Sequence, residues 1–175
     1  MGFEPDSALL IIDMLNDFIE ENGALLVPGA KRIVPRIRQI LDEARQQGIK
    51  VIYIADSHRE DDLEFQYWPA HAISGTWGGE VVAELAPRPG DHVVPKRRYS
   101  AFFGTDLDIL LREFGIRKLY LTGVLSNICV YATALDASMR NYRVAVFKDA
   151  VASLSEETDR FVFQQLSEVL QAELL

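Results

Sequence analysis

Cysteine, positive charge and long apolar runs are all scarce in this 175-residue sequence. The single cysteine excludes an intramolecular disulfide, and the segment Met1 to Ser7 lacks the basic start and apolar core of a signal peptide, so we expect a cytoplasmic protein. With 18 Lys and Arg against 26 Asp and Glu, the formal charge is −8, which opposes binding to nucleic acid or an anionic membrane. No apolar run approaches the roughly 20 residues that cross a bilayer, so we expect a soluble protein.

The composition is that of a globular domain, with 49% apolar and 25% charged residues. Short apolar runs alternate along the chain with segments of helical period, which is typical of a parallel sheet covered by helices on both faces. We therefore predict a single domain over residues 1–175. Its fold class is α/β, a three-layer α/β/α arrangement around a mostly parallel sheet of five or six strands.

The predicted elements follow from these runs and from the residues that flank them. Strands are predicted over five apolar runs: Ala8–Ile12, Lys50–Ile54, His92–Val94, Lys118–Thr122 and Arg143–Phe147. Helices are predicted over five segments: Val34–Gln47, Val81–Leu85, Asp106–Phe114, Asn127–Asn141 and Ser155–Ser167. No pattern supports the sixth strand, at the C-terminal edge, that such a sheet would accommodate.

Polar residues follow four of the predicted strands. Asp13 follows the first, Asp56 the second, Lys96 the third, and Cys129 lies in the turn after the fourth. Because parallel strands end at the same edge of a sheet, where open α/β folds bind ligands, we expect these side chains to meet. A lysine ammonium stabilises a thiolate, and a carboxylate takes the thiol proton and returns it to a leaving group. The set predicts acyl transfer through a thioester.

Cys129 itself lies near the start of the fourth predicted helix. The unpaired N–H groups of the first helical turn favour thiolate over thiol, so we expect a reactive nucleophile. The alternative is a buried structural cysteine, because free cysteine is among the most buried residue types.

The longest irregular stretch, Asp56 to Gly79, supplies a second cluster. Asp56, His58 and His71 offer one carboxylate and two imidazoles, a set that suits zinc or iron with positions open for water or substrate. The alternative is that both histidines are ordinary loop residues. His92, at the start of a predicted strand, has no such partners and is expected to be structural.

Three aromatic residues lie near the same predicted edge of the sheet. Phe18, Trp68 and Tyr99 are placed to hold a flat ring, with ordinary core packing as the alternative.

Three separated motifs closely resemble those of the isochorismatase-like cysteine hydrolases, and within that superfamily the chain looks most like the nicotinamidases. They are Ile11-Ile-Asp-Met-Leu-Asn-Asp-Phe18, Val94-Pro-Lys-Arg-Arg-Tyr-Ser-Ala-Phe-Phe-Gly-Thr105 and Thr122-Gly-Val-Leu-Ser-Asn-Ile-Cys-Val130. Trp68-Pro-Ala-His71 resembles the metal-binding segment of nicotinamidases. The resemblance extends from about Ala8 to Ala152.

This resemblance implies a role for each matched residue. Cys129 would be the nucleophile, Asp13 the proton shuttle and Lys96 the third member of the triad. A cis peptide is implied between Val124 and Leu125, with the amides of Leu125 and Cys129 as the oxyanion hole.

The resemblance also implies the substrate and its setting. Asp56, His58 and His71 would hold a divalent metal, zinc or otherwise iron or manganese, and Phe18, Trp68 and Tyr99 would line the pocket. The implied reaction hydrolyses nicotinamide, a small-molecule amide, to nicotinate and ammonia, as in NAD salvage. A homo-oligomer is expected on the same ground.

Departures from the family pattern leave the substrate open. The loop between His58 and His71 looks short, Ala72 replaces a familiar cysteine and Leu15 a common glutamine, and the short loop carries charged residues near the entrance: Arg59, Glu60, Asp61, Asp62 and Glu64. The alternatives are another small amide or carbamoyl compound, or an inactive homologue that only binds a small ligand.

Overall fold

Six parallel strands form the centre of the molecule in a computed structural model that describes residues 2–175. The strands are β1 (Ser7–Ile12), β2 (Lys50–Asp56), β3 (His92–Lys96), β4 (Lys118–Val124), β5 (Arg143–Ala152) and β6 (Glu173–Leu174). Their spatial order is β3-β2-β1-β4-β5-β6. The predicted α/β class is confirmed, and the unsupported sixth strand exists as a two-residue edge beside β5.

Helices cover both faces of this sheet. They are α1 (Asn16–Ile19), α2 (Val34–Gln46), α3 (Leu107–Glu113), α4 (Tyr131–Met139) and α5 (Glu156–Glu168). Apolar residues of α1 and α2 pack with one buried cluster, and those of α3, α4 and α5 with another. Successive residues of β1 alternate between the two clusters, which is why the strand reads as a continuous apolar run. No helix within the described residues is long and apolar enough to cross a membrane.

Local signals explain several helix ends. Pro35 lies in the first turn of α2, where its missing N–H costs no hydrogen bond. Ser155 caps α5, because its hydroxyl accepts a hydrogen bond from the Thr158 amide at 3.2 Å. Glu156 and Glu157 occupy the first turn of that helix, where negative charge suits the dipole.

Two predicted helices differ in the structure. The segment Val81–Leu85 contains only a 3₁₀ turn at Ala83–Leu85, because Val81 pairs with Leu15 in an isolated bridge. The segment Asn127–Asn141 divides into a π-helical turn, Ser126–Val130, followed by α4. Further 3₁₀ turns lie at Ala30–Ile33, Leu63–Gln66 and Trp77–Gly79.

The strand order places a switch point between β1 and β4. From β1 the chain builds outward through β2 to β3, then returns to the other side of β1 with β4. Crevices at the carboxyl ends of strands flanking such a point are the usual ligand sites of open α/β sheets. Asp13 follows β1, and Cys129 follows β4 in the π-helical turn.

Candidate active site

Asp13, Lys96 and Cys129 meet at this edge of the sheet. Lys96 Nζ lies 2.8 Å from Asp13 Oδ2 and donates to Cys129 Sγ at 3.4 Å. It also donates to Asp56 Oδ1 at 2.5 Å, because Asp56 and Lys96 are partners in the β2–β3 register. The residues are almost fully buried, with 1%, 2% and 7% of Asp13, Lys96 and Cys129 exposed.

Burial and mutual charge determine the protonation of this cluster. Burial and the neighbouring Asp56 raise the pKa of Asp13 to about 6, against the opposing influence of Lys96. Burial raises the pKa of Asp56, but Lys96 and His58 outweigh it and leave that pKa below its ordinary value. Burial lowers the pKa of Lys96, but the carboxylates of Asp13 and Asp56 raise it well above the ordinary value, so the ammonium persists.

The expectation of a resting thiolate is wrong for this arrangement. Burial, together with the charges of Asp13 and Asp56, raises the pKa of Cys129 well above its usual value, although Lys96 opposes this. The thiol therefore keeps its proton until a base removes it. A carboxylate oxygen of Asp13 lies within 4.8 Å of Cys129 Sγ, and with its pKa at about 6 Asp13 is ionised at neutral pH.

The turn that carries Cys129 depends on close backbone packing. Gly123 adopts a φ of 108°, and a Cβ there would lie 1.9 Å from Ile12 O, so only glycine fits. The Val124–Leu125 peptide is cis, as the resemblance implies, and the π-helical turn follows at once. The oxyanion role of the Leu125 and Cys129 amides stays a prediction.

One contact to this turn was not predicted from the sequence. Ser126, fully buried directly after the cis peptide, donates its hydroxyl proton to Asp159 Oδ1 of α5 at 2.5 Å. A helix distant in sequence is thereby joined to the turn that carries the nucleophile.

Asp56, His58 and His71 form the predicted second cluster beside the first. One potential ligand atom from each lies within 4.8 Å of the others. Asp56 Oδ2 is 3.7 Å from His58 Nε2 and 3.9 Å from His71 Nε2. Ligands at about 2.1 Å from a tetrahedral ion are separated by about 3.4 Å, so these spacings are close to those of a shared ion.

The electrostatics of the cluster also suit a cation. His58 Nε2 is buried without a hydrogen-bond partner, which is the state of a ligand atom facing an ion. Burial lowers the pKa of His58, but the carboxylates of Asp56, Asp62 and Glu64 outweigh it and raise that pKa above the ordinary value. The surroundings of His58 thus favour positive charge, and these residues fit a divalent metal.

Backbone contacts hold the two histidines in place. The Asp17 carboxylate accepts a hydrogen bond from the Ala72 amide at 2.8 Å, and Ala72 O accepts one from the His58 amide at 2.9 Å. Gly78 lies so close that a Cβ there would meet Asp17 Oδ2 at 2.1 Å. The first motif therefore anchors the segment that carries His71.

A cleft opens onto both clusters. It is lined by residues of the predicted site together with several apolar neighbours: Asp13, Phe18, Leu25, Asp56, Glu64, Trp68, His71, Tyr99, Val124, Leu125, Ile128 and Cys129. Trp68 Nε1 donates to the Tyr99 hydroxyl at 3.0 Å. All three predicted aromatics are present, while Lys96 and His58 lie behind the surface of the cleft.

Asp62 and Glu64, which the sequence places among the charged residues near the entrance of the site, are buried in the structure. Glu64 is buried and lines the cleft, with Oε1 4.0 Å from His58 Nε2, and burial raises its pKa. Asp62 is buried as well and contacts His58 Nδ1. No local pattern signals this contact, because residues 58–62 are not helical and the burial of Asp62 depends on how the loop folds back.

Known proteins are similar to this chain over most of its length. The isochorismatase domain model matches residues 7–173. An uncharacterized isochorismatase family protein of Bacillus subtilis is 36% identical over 172 residues, covering 97% of this chain and 93% of that protein.

Solved structures are similar over nearly the whole chain. A pyrazinamidase/nicotinamidase of Streptococcus mutans is 38% identical with a TM-score of 0.93, covering 97% of this chain and 99% of that one. The N-carbamoylsarcosine amidase of Thermoplasma acidophilum is 38% identical with a TM-score of 0.88, covering 97% and 95%.

Further matches differ in the activity that they name. They include the ureidoacrylate amidohydrolase of Rhizobium rhizogenes at 33% identity, a probable inactive nicotinamidase of Arabidopsis thaliana at 37%, and a pyrazinamidase of Pyrococcus horikoshii in complex with zinc at 28%.

Proposed function

We propose that this chain, which belongs to the isochorismatase family of hydrolases, is a cysteine amidohydrolase that converts nicotinamide to nicotinate and ammonia. One observation carries the proposal. Cys129, Asp13 and two members of the metal cluster, Asp56 and His71, line a single cleft whose other walls include flat aromatic side chains. A nucleophile, a proton carrier and a potential Lewis-acid site thus face the same small volume.

The walls of the cleft favour a neutral, flat amide. Phe18, Trp68 and Tyr99 provide faces and edges for stacking. Among the residues that the structure describes, no lysine or arginine side chain lines it. Ureidoacrylate and N-carbamoylsarcosine each carry a carboxylate, for which these walls offer no cationic side chain.

The metal proposed for the second cluster is zinc. Asp56, His58 and His71 would hold it, and a pyrazinamidase relative is known in complex with zinc. Bound there, the ion would supply Lewis-acid binding for a ring nitrogen of the substrate and so orient the amide toward Cys129.

The chemistry of the protein groups follows from their protonation. Asp13 accepts the Cys129 proton while Sγ attacks the amide carbon, and Lys96 stabilises the developing thiolate. The amides of Leu125 and Cys129 stabilise the oxyanion, each by roughly 3 kcal/mol of barrier. Asp13 then gives its proton to the amide nitrogen, the C–N bond breaks and ammonia leaves a thioester.

Hydrolysis of the thioester returns the enzyme to its resting state. Asp13, ionised again, takes a proton from water as the water oxygen attacks the thioester carbon. The C–S bond breaks, the nicotinic acid leaves, and Sγ recovers its proton from Asp13. A carboxyl with a pKa at about 6 suits both directions of this transfer near neutral pH.

The test is ammonia release from nicotinamide by the purified protein, with added zinc, after chelation, and with Cys129→Ala as the blank. We expect release that needs the metal and is lost in the variant. Absence of release from folded, zinc-loaded protein would refute the proposed substrate, and a panel of pyrazinamide, ureidoacrylate and N-carbamoylsarcosine would then identify another amide. A ligand that binds without turnover would favour an inactive binding protein.

Two broader expectations stay predictions. We propose a homo-oligomer, which sedimentation velocity would detect, and a cytoplasmic location, which fractionation would test.

A further inference from the structure

Asp62 is a buried carboxylate behind the metal cluster, on the side of His58 away from the cleft. None of its side-chain surface is exposed, and its Oδ2 lies 3.2 Å from His58 Nδ1. The remaining partners surround it: Arg97 Nε donates to Oδ2 at 2.9 Å, Arg98 Nη1 to Oδ1 at 3.0 Å and the Glu64 amide to Oδ1 at 3.2 Å.

These contacts keep Asp62 ionised. Arg97, Arg98 and the Glu64 amide are all donors directed at its two oxygens, and two of them carry positive charge, so the contacts favour the carboxylate, which only accepts. A carboxylate only accepts hydrogen bonds, so the proton between Asp62 and His58 must reside on Nδ1 of the imidazole. A neutral His58 then has its lone pair on Nε2, the buried atom without a partner that lies 3.7 Å from Asp56 Oδ2.

We propose that Asp62 is a positioning residue for the metal, fixing His58 as the Nδ1–H tautomer and directing its Nε2 lone pair at the ion. The proposal rests on the metal site of the proposed function. A ligating histidine held by a carboxylate through its other nitrogen is better oriented and more basic than one held by water.

Arg97 and Arg98 explain how Asp62 is tolerated there. Asp56 and Glu64 already place negative charge beside His58, and a further buried carboxylate without counterions would be strongly disfavoured. The two guanidinium groups neutralise it from the solvent side, and each is partly exposed at 46% and 39% of its side chain. Both directly follow Lys96, so one tripeptide supports the triad and the metal cluster together.

The first test is zinc affinity, measured by competition with a chromophoric chelator, in the wild type and in Asp62→Ala. Removing such a supporting carboxylate lowers metal affinity by about 10- to 100-fold, and we expect a loss in that range. Asp61→Ala is the matched control, because the neighbouring Asp61 is 69% exposed and pairs only with Arg59 among the described residues. We expect Asp61→Ala to bind zinc within about twofold of the wild type.

The second test reads the tautomer directly. The chain has three histidines, so ¹⁵N-labelled imidazole signals resolve one by one in metal-free protein at pH 9. We expect Nδ1–H for His58 in the wild type and a shift toward Nε2–H in Asp62→Ala. A purely structural role for Asp62 would lower thermal stability without moving the tautomer.

Each outcome decides the inference. Unchanged zinc affinity or an unchanged tautomer in Asp62→Ala overturns it, as does an equal loss in Asp61→Ala. If Asp62→Ala does not fold, Asp62→Asn replaces it: the neutral amide cannot hold the tautomer as an anion does, so the same changes in direction are required. Because neither measurement uses an amide substrate, failure to hydrolyse nicotinamide leaves this result intact and refutes only the proposed substrate.

Discussion

Lys96→Met is the substitution whose effects on stability and thiol reactivity the structure predicts in most detail. The variant removes the ammonium between Asp13 and Asp56 and keeps a long apolar side chain in its place. Lys96 Nζ is 2.8 Å from one carboxylate and 2.5 Å from the other, and the lysine side chain has no exposed surface. A unit-charge pair at 2.8 Å contributes about 6 kcal/mol at an effective dielectric of about 20, from which the desolvation of the ammonium must be subtracted.

Removing one partner of a buried ion pair lowers the free energy of unfolding by about 3–5 kcal/mol, because the remaining charge is left uncompensated. We expect the free energy of unfolding to fall by about 3 kcal/mol at pH 7, the lower end, since Asp13 can take a proton to relieve the repulsion. The pKa of Asp13, already raised to about 6, rises further without Lys96. A carboxyl whose folded pKa is raised destabilises the fold only when ionised, so the deficit should shrink as the pH falls from 7 to 5.

Urea unfolding at both pH values measures this deficit, with Lys148→Met as the control. Lys148 is an exposed residue of β5, and its replacement should change the free energy of unfolding by less than about 0.5 kcal/mol. Since Cys129 is the only cysteine, alkylation of the native protein reports this thiol alone, and it should be slower in Lys96→Met. Unfolding and alkylation both equal to the wild type would refute the ion-pair reasoning.

Three further predictions concern the nucleophile, the metal and the turn that carries Cys129. Cys129→Ala should abolish turnover while leaving thermal unfolding and ligand binding nearly unchanged; residual turnover above the blank would remove the nucleophile assignment. His71→Ala should lower the zinc content found by elemental analysis, because one of three ligands is lost, whereas His92→Ala, outside the cluster, should not. Equal zinc in both variants would count against the site. Asp159→Ala should lower kcat by about tenfold with little change in KM, because it frees the Ser126 hydroxyl in the turn that carries the proposed oxyanion amides. A change in KM alone would contradict that positioning role.

The placement of the reactive residues was predictable because parallel strands end together. Asp13, Asp56 and Lys96 each lie at the end of a strand whose apolar run is visible in the sequence. Once the sheet is parallel, their convergence needs no knowledge of the loops. The same applies to Cys129, since its strand and the glycine that ends the run are both apparent.

Protonation was not predictable in this way. Helix-start position alone favours a thiolate at Cys129, but the pKa depends on burial and on two carboxylates contributed by other strands. Neither the burial of the thiol nor its distance from these carboxylates is a property of the segment around the cysteine. The expected long helix from Asn127 differs as well, because the Val130 amide donates to Leu125 O, an i to i−5 bond, and Ser126–Val130 forms a π-helical turn.

In the loop after β2, the sequence does not predict which charged side chains are buried. Its charged residues look alike in the sequence, yet Asp61 is exposed while Asp62 and Glu64 are buried around His58. Which carboxylate turns inward depends on the 3₁₀ turn at Leu63–Gln66 and on Arg97 and Arg98, which directly follow β3. These contacts join segments about 35 residues apart, so no local pattern contains them.

The amino-acid sequence by itself determined the α/β class, the sheet edge that carries the site, and the candidate nucleophile, base and metal ligands, because hydrophobic periodicity and residue chemistry are local properties. Only the tertiary structure decided which of these groups hold protons, which carboxylate contacts His58, and which helix is hydrogen-bonded to the turn that carries Cys129. Charge and tautomer in a buried site are set by distances of 3 to 4 Å between groups far apart in the chain, and those distances exist only after folding.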